Sequence, residues 1–397
     1  MPSHRDPLTI HPAESIHDRI VGCIVGGAIG DAWGSEYEAR SAPLDFTVPK
    51  ASRISDDTQL TLATCEAYVS HRELRPEHVA SHLLDWFTSG RVTGLGSSTL
   101  KALRDLAAGA HWALSGARGE FPAGNRPRGI TISPDGSELY VCASDDDVVR
   151  VFDPETYEEL HTLPSGPDPE LFVLHPSGNP LYIANEDDNL VTVVDTKTHK
   201  VIAEVPVGVE PEGMAISPDA HWVINTSETT NMAHFIDSAD YEIKHNVLVD
   251  QRPRYAIFTD DGSKLYVSSE IGGTVSVIDM TGAEPTLIDK IGFEVPNVLP
   301  EWLQPVGMRV TSDNKTLFVA LGPANRVAVV DAATDEVKDY LLVGQRVWQL
   351  AFTPDEKYLV TTNGNSNDVS VIDVENLETI KSVQVGQQPW GVIVAPD

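Results

Sequence analysis

Basic side chains are scarce in this sequence: Lys and Arg number 28 against 59 Asp and Glu, a formal charge of −31 over 397 residues. So acidic a chain has little to offer a phosphate backbone or an anionic membrane surface, which argues against nucleic acid and membrane as partners. Cysteine is nearly absent. Cys23, Cys65 and Cys142 stand too far apart for a disulfide framework or a zinc pattern. Long apolar runs are missing as well. The stretch from Ile20 to Trp33 is broken by Gly22, Gly26, Gly27, Gly30 and Asp31, and it falls short of the ~20 residues a spanning helix needs. It reads instead as a buried core helix. The opening "MPSHRDPLTIHPAESIHDR" carries charges of both signs and no apolar run, so no signal peptide is expected and the expected location is the cytoplasm.

What is present is globular in composition, at 41% hydrophobic residues. The charge is uneven. Residues 1–125 hold 11 basic and 15 acidic side chains, while residues 126–397 hold 17 and 44. Such asymmetry suggests two domains of different origin.

Residues 1–125 carry a helical pattern, with helices expected at 15–31, 57–70, 76–87 and 97–114. Ser15 can cap the first. Asp56 with Gln59 fits a capping box, Pro76 suits a first helical turn, and Ser97 or Ser98 can cap the fourth. His78 and His82 lie four apart on one predicted helix, without an evident third ligand for a zinc site.

Beyond Gly124 the period changes. Pro134, Pro176, Pro218, Asp260, Ser312, Pro354 and Pro396 recur at spacings of 42, 42, 42, 52, 42 and 42. Asp153, Asp195, Asp237, Asp279, Asp331 and Asp373 each close an alternating β-branched run such as "LVTVVD" or "TVSVID". Four such runs per unit, repeating every ~40–45 residues, mark a β-propeller. Six full units are expected from Pro127, then a single strand, Gly391 to Asp397, of a seventh. The ten extra residues of the fourth unit are placed near "FEVPNVLPEWLQ". Acidic and amide clusters between the second and third strands, such as "SDDD" and "NEDD", suit hairpin turns, or else an acidic rim for a cation or basic partner. Arg128, Arg254, Arg326, Arg346 and Trp348 recur near unit starts or turns and are expected to line one propeller face.

"GAIGDAWGSEYEA", "SDDTQLTLATCEAY", "GRVTGLGSSTLKALRDL" and "GAHWALSGARGEF" resemble, in order, the N-terminal half of the ADP-ribosylglycohydrolase family. The resemblance covers about residues 15–125. It implies an all-helical fold, two magnesium ions, and hydrolysis of the bond between ADP-ribose and a protein side chain or related acceptor. The family's later D-x-D-[ST] motif, which completes the metal site, is absent. "YIANEDDNLVTVVD", "SSEIGGTVSVID" and "ALGPANRVAVVD" resemble YVTN-type propellers, in particular the group associated with PQQ-dependent catabolism. Exported members of that group look periplasmic, unlike the location expected here.

The candidate site residues take their roles from the first resemblance. Ser55, Asp56 and Asp57 offer hard oxygen donors at a helix start and match the family's Mg2+ ligands. Residue type alone favours capping there. Glu38 matches a glutamate acting beside the metals, and by residue type is a solvated loop carboxylate. Gly94, Gly96, Ser97 and Ser98 form a loop whose N–H groups can cradle a diphosphate or simply cap the helix. By resemblance it faces the phosphates of ADP-ribose. Gly124–Asn125 begins another family motif, which makes Asn125 a substrate-binding candidate.

The expected fold class is multidomain α plus β: residues 1–125 a truncated helical domain, residues 126–397 a propeller with an incomplete seventh blade. Three functions fit. One is a propeller that binds an unidentified ligand or protein, fused to an inactive ADP-ribosylglycohydrolase-like domain. Another is a magnesium-dependent hydrolase that releases ADP-ribose from an ADP-ribosylated protein, with the propeller as binding module. The last is a chimera of two incomplete genes without function. The missing metal motif places the first ahead of the second.

Overall fold

The computed structural model describes residues 56–71, 75–92, 97–107 and 121–395. The chain divides into two units, Met1–Gly119 and Glu120–Asp397. Residues 121–125 therefore belong with the propeller. Phe121 packs its ring 5.0 Å from that of Phe152 and 4.9 Å from that of Tyr157.

In the first unit the described residues form α1 (Asp56–His71), α2 (Pro76–Thr88) and α3 (Ser97–Ala107). These match the expected second to fourth helices. The expected helix at 15–31, and residues 108–114 of the fourth, lie outside the described residues. Arg75 is extended before α2, and Pro76 takes the first turn, where its missing N–H costs nothing. Ala63, Trp86 and Val92 form a small core with Leu60, Leu62 and Leu83. The Trp86 indole donates to Glu66 at 2.6 Å. Among the described residues no helix is long and apolar enough to cross a membrane.

In the second unit the described residues form 24 strands in six four-stranded antiparallel sheets, one per sequence repeat. Blade 1 comprises β1 (Pro127–Ile132), β2 (Leu139–Ala143), β3 (Val148–Phe152) and β4 (Glu159–Pro164). Blades 2 to 5 begin with innermost strands β5 (Pro169–Leu174), β9 (Pro211–Ile216), β13 (Pro253–Phe258) and β17 (Met308–Val310). Blade 6 comprises β21 (Val347–Phe352), β22 (Tyr358–Asn363), β23 (Asp368–Asp373) and β24 (Glu378–Gln384). The extra residues precede β17 as expected, and bury Val295 and Leu303 in the core of the adjoining blades.

The Asp ladder and the acid and amide clusters each have a local cause. Each repeating Asp accepts backbone N–H groups two or three residues on. Asp195, for example, takes those of Lys197 and Thr198 at 3.0 and 2.7 Å, which fixes the turn between the third and fourth strands. The turn between the second and third strands ends on Asp147, Asn189, Asn231, Asn325 and Asn367. All have φ between 56° and 59°, a left-handed conformation that Asn and Asp tolerate best after glycine. The acid and amide clusters are thus hairpin chemistry first.

Alternation puts one face of each blade against the next. Tyr140, Val149, Val151 and Leu163 of blade 1 meet Phe172, Leu181 and Ile183 of blade 2, all buried. Comparable clusters fill each later junction up to blades 5 and 6. Full burial of such a side chain contributes about 1.5–3 kcal/mol, so every blade face needs a neighbour. The innermost strands pack in sequence from β1 to β21, but β21 has no comparable contact with β1.

The last segment occupies that gap. Residues 391–395 form no ladder, unlike the strand expected at Gly391–Asp397, and among the described residues no further strand pairs with them; residues 396 and 397 lie outside the described residues. The segment nevertheless sits as a seventh innermost strand would. Gly129, Gly213, Gly307 and Gly391 each lie against the backbone of the next innermost strand, where an added Cβ would stand 2.5 to 3.0 Å from the carbonyl oxygens of Glu170, Arg254, Trp348 and Arg128 respectively. Thr362 Oγ1 donates to the Trp390 carbonyl at 2.6 Å, as Thr226 does to that of Pro253 at 3.1 Å. Ile393 and Phe121 cover the free face of blade 1 over Leu139, Val141 and Phe152.

Gly391→Val should therefore break the closure, costing ~1–3 kcal/mol of propeller stability. Gly292→Ala, at a site with nothing within 4 Å of the new Cβ, should stay within about 0.5 kcal/mol of the native chain. Denaturant titration read by near-UV circular dichroism checks both.

Candidate functional site

Antiparallel pairing puts the start of each innermost strand and the end of each second strand on the same propeller face. Both positions are chemically loaded. Before the innermost strands stand Arg126, Asp168, Glu210, Arg252, Arg346 and Gln388, all left-handed with φ between 48° and 59°. Two residues on are Arg128, Glu170, Glu212, Arg254, Trp348 and Trp390. Glu186, Glu228 and Glu270 follow the second strands of blades 2, 3 and 4. Together these side chains ring one mouth of the central channel, which continues as a cavity of about 270 Å³ walled by Ile130, Phe172, Met214, Tyr255, Arg309 and Gln349.

One network runs from Asp145 through Arg126, at 3.0 Å, to Asp168 and to Glu170 at 3.1 Å. Arg128 reaches the other oxygen of Glu170 at 3.3 Å. A second network centres on buried Arg254, which pairs with Glu228, with Glu212 at 3.3 Å and with Glu270 at 3.5 Å. Arg252 bridges Glu228 and Glu270 at 2.8 and 3.3 Å. Arg346 joins Glu270 at 2.7 Å and the Gln304 amide oxygen at 2.8 Å. The Trp348 ring lies under Arg346 and Arg254, at 4.1 and 5.9 Å.

Burial dominates the protonation of the carboxylates. Glu170 and Glu212 are 2% and 1% exposed. Burial pushes Glu170 up to about 7 despite Arg128 and Arg126, and pushes Glu212 well above the usual carboxylate range despite Arg254. Glu186 is raised by burial, then by its neighbours Asp168 and Glu228, and among the described residues its carboxylate makes no ion pair. For Arg254 burial alone would lower the guanidinium, but Glu212, Glu228 and Glu270 hold it above its ordinary value.

Oxygens of Asp168, Glu170 and Glu186 come within 4.8 Å of one another. The set does not fit a divalent cation, because Arg126 and Arg128 already stand 3.1 and 3.3 Å from the two oxygens of Glu170. A dication would have to displace both guanidinium groups.

The residues that the motifs single out as candidates are elsewhere. Glu38, Ser55, Gly94 and Gly96 lie outside the described residues. Asp56 and Asp57 open α1, and Ser97 and Ser98 open α3, with side chains outside the described set. Asn125 belongs to the propeller unit, where its backbone N–H and side-chain amide donate to Asp146 at 3.1 and 2.7 Å. Of the side chains expected on one propeller face, Arg128, Arg254, Arg346 and Trp348 meet at the mouth. Arg326 does not, and turns to the Ala324 carbonyl at 2.8 Å. His71 joins the histidine pair in the first unit, stacking on His78 at 3.7 Å between ring centres. The buried glutamates carry little signal in the sequence, although Asp168-Pro169-Glu170, Glu210-Pro211-Glu212 and Arg252-Pro253-Arg254 repeat at intervals of 42.

The architecture defines a fusion of a helical unit with a β-propeller whose channel mouth is charged. In particular, residues 12–149 match the ADP-ribosylglycohydrolase family model, residues 129–288 the YNCE-like beta-propeller model and residues 239–390 the seven-bladed beta-propeller lactonase model. The chain thus joins an ADP-ribosylglycohydrolase-like segment to a propeller. The first two matches overlap at 129–149, and the structure assigns those residues to blade 1. An uncharacterized protein of Archaeoglobus fulgidus is 27% identical over 115 residues, 25% of this chain and 38% of the relative. The chain spans about two fifths of that relative's length. Among solved structures, Kuenenia stuttgartiensis hydrazine synthase aligns at a TM-score of 0.59 and 21% identity over 71% of this chain and 92% of that one. A functionally unknown protein from Desulfotomaculum acetoxidans aligns at 0.59 and 16% identity over 69% and 90%. At these identities the likeness is one of fold.

An acid whose folded pKa is raised binds more protons folded than unfolded, so its contribution to stability falls as pH rises between the two values. For Glu170 that window is from 4.5 to about 7. The propeller's melting temperature should decline from pH 5 to pH 8, and Glu170→Gln should flatten the decline. A slope unchanged in the variant would contradict the assignment.

Proposed function

We propose that this chain is a binding protein: the propeller holds a positively charged partner at its acidic channel mouth, and the ADP-ribosylglycohydrolase-like segment is truncated and inactive. Buried, incompletely compensated glutamates at the mouth carry this reading. Burying an ion costs several kcal/mol even after relaxation, and closing a ring requires only apolar faces. Glu186, with no ion pair of its own among the described residues, is the natural acceptor for an incoming ammonium or guanidinium group.

By resemblance, Ser55, Asp56 and Asp57 would hold Mg2+ with Glu38 beside them, and the metal would stabilise charge developing as the ADP-ribosyl bond breaks. Such a centre needs ligands that enclose both ions, and the D-x-D-[ST] motif that would complete the set is not in the sequence. The hydrolase reading is supported by the family match at 12–149.

Full-length protein with magnesium should release no ADP-ribose from a mono-ADP-ribosylated protein above the buffer rate. Robust turnover, abolished by Asp56→Ala with Asp57→Ala, would restore the hydrolase. For the mouth, hexalysine should bind in calorimetry with an affinity that falls as salt rises, and Glu186→Gln should weaken it. Absence of binding, or equal binding of hexaglutamate, would refute the mouth reading.

A further inference from the structure

We propose that the seventh blade position, filled among the described residues by one segment of chain, is a pocket for a small organic anion: a carboxylate or phosphate carried on a flat body. This rests on the propeller being the binding part of the chain, but it concerns the seam between blades 6 and 1.

A cavity of about 670 Å³ opens there, within the ~300–1,000 Å³ range of ligand pockets. Its walls include Trp348, Trp390, Arg128, Phe121, Ile130 and Asn365. Blades 2 to 4 carry glutamate after their second strand, whereas blade 6 carries Gly364. A Cβ there would stand 2.7 Å from the Trp348 indole nitrogen, so the glycine admits the indole where the acid stands elsewhere. Arg128 lies over the Trp390 ring at 5.1 Å. The last blade has thus exchanged acids for indole surface.

Among the residues that line the cavity, the buried side-chain polar atoms left without a hydrogen bond are donors, Trp390 Nε1 and Arg128 Nε. The Trp390 indole N–H is buried without a hydrogen bond, in a side chain 8% exposed. Arg128 Nε stands 3.3 Å from Glu170 without hydrogen-bond geometry. Among the described residues its two amino groups make no hydrogen bond. A buried donor without a partner costs about 1–3 kcal/mol, and a ligand that brings acceptors removes that cost. A cation brings none and would face Arg126 and Arg128. The indole faces favour a flat body by stacking.

Calorimetry on the full chain with 2-naphthoate, 2-naphthyl phosphate and neutral 2-naphthamide tests this. At least one anion should bind, and the amide should bind about tenfold more weakly, the worth of a charge-assisted hydrogen bond. Tighter binding of naphthoate assigns a carboxylate, and the reverse assigns a phosphate. Trp390→Phe keeps the ring but removes the N–H, and should cost the anion a similar factor. Should that variant fail to fold, the naphthoate–naphthamide comparison on the native chain decides alone. Equal affinity for anion and amide, a folded Trp390→Phe that binds as well as the native chain, or no binding up to millimolar ligand would overturn the proposal. Naphthoate binding without hexalysine binding would sink the mouth reading alone; the converse would sink this one alone.

Discussion

Face-to-face packing of blades is the constraint on which the propeller depends. Each sheet has two faces, and strand alternation makes both of them apolar in the middle strands. Tyr140, Val149 and Leu163 are buried because blade 2 covers them, and Leu350, Leu359 and Ile372 because blade 5 does. Two faces are left over, one on blade 1 and one on blade 6. Alternation turns Val360, Thr362, Val369 and Val371 of blade 6 away from blade 5, and all are buried. The segment around Trp390–Ile393 reconciles the two ends. It reproduces two contacts of an innermost strand, the Trp390 carbonyl that accepts from the Thr362 hydroxyl and the glycine against the Arg128 carbonyl. It does so without a hydrogen-bonded ladder.

The mouth follows from that geometry. Antiparallel order brings two loop positions per blade to one face, and the ring brings equivalent positions of all blades together. Residues 42 apart in sequence thereby become neighbours, which is how Glu212, Glu228, Arg254 and Glu270 meet around one guanidinium group. With so many carboxylates out of water, neither the ion pairs nor the arginines fully compensate the burial. The raised pKa values of Glu170 and Glu212 express that imbalance.

Much of the fold was legible. The period of 42, the Asp ladder and the Asn or Asp at five of the six hairpins between second and third strands are local features, each serving one turn, and turn chemistry acts over three or four residues. The candidate site was less so. Arg128, Arg254, Arg346 and Trp348 stood out by their recurrence, but nothing in their own segments says which acids they meet. Arg326 recurs in the same way and is satisfied within its own turn by the Ala324 carbonyl. Asn125 matched a helical family by motif, yet hydrogen-bonds in the propeller unit to Asp146, a partner 21 residues away. The family match running to residue 149 carries the same ambiguity into β1 and β2, and strand pairing within blade 1 resolves it.

The sequence by itself determined the number of blades, the hairpin positions and the acidic character of the chain, because those depend on local conformation and on counting. Only the tertiary structure decided which charges are buried, how Glu170 and Glu212 are shared among arginines, and where the indoles of Trp348 and Trp390 stand. Burial and ion pairing are set by distances between segments that the backbone brings together, and no spacing along the chain encodes those distances before the ring has closed.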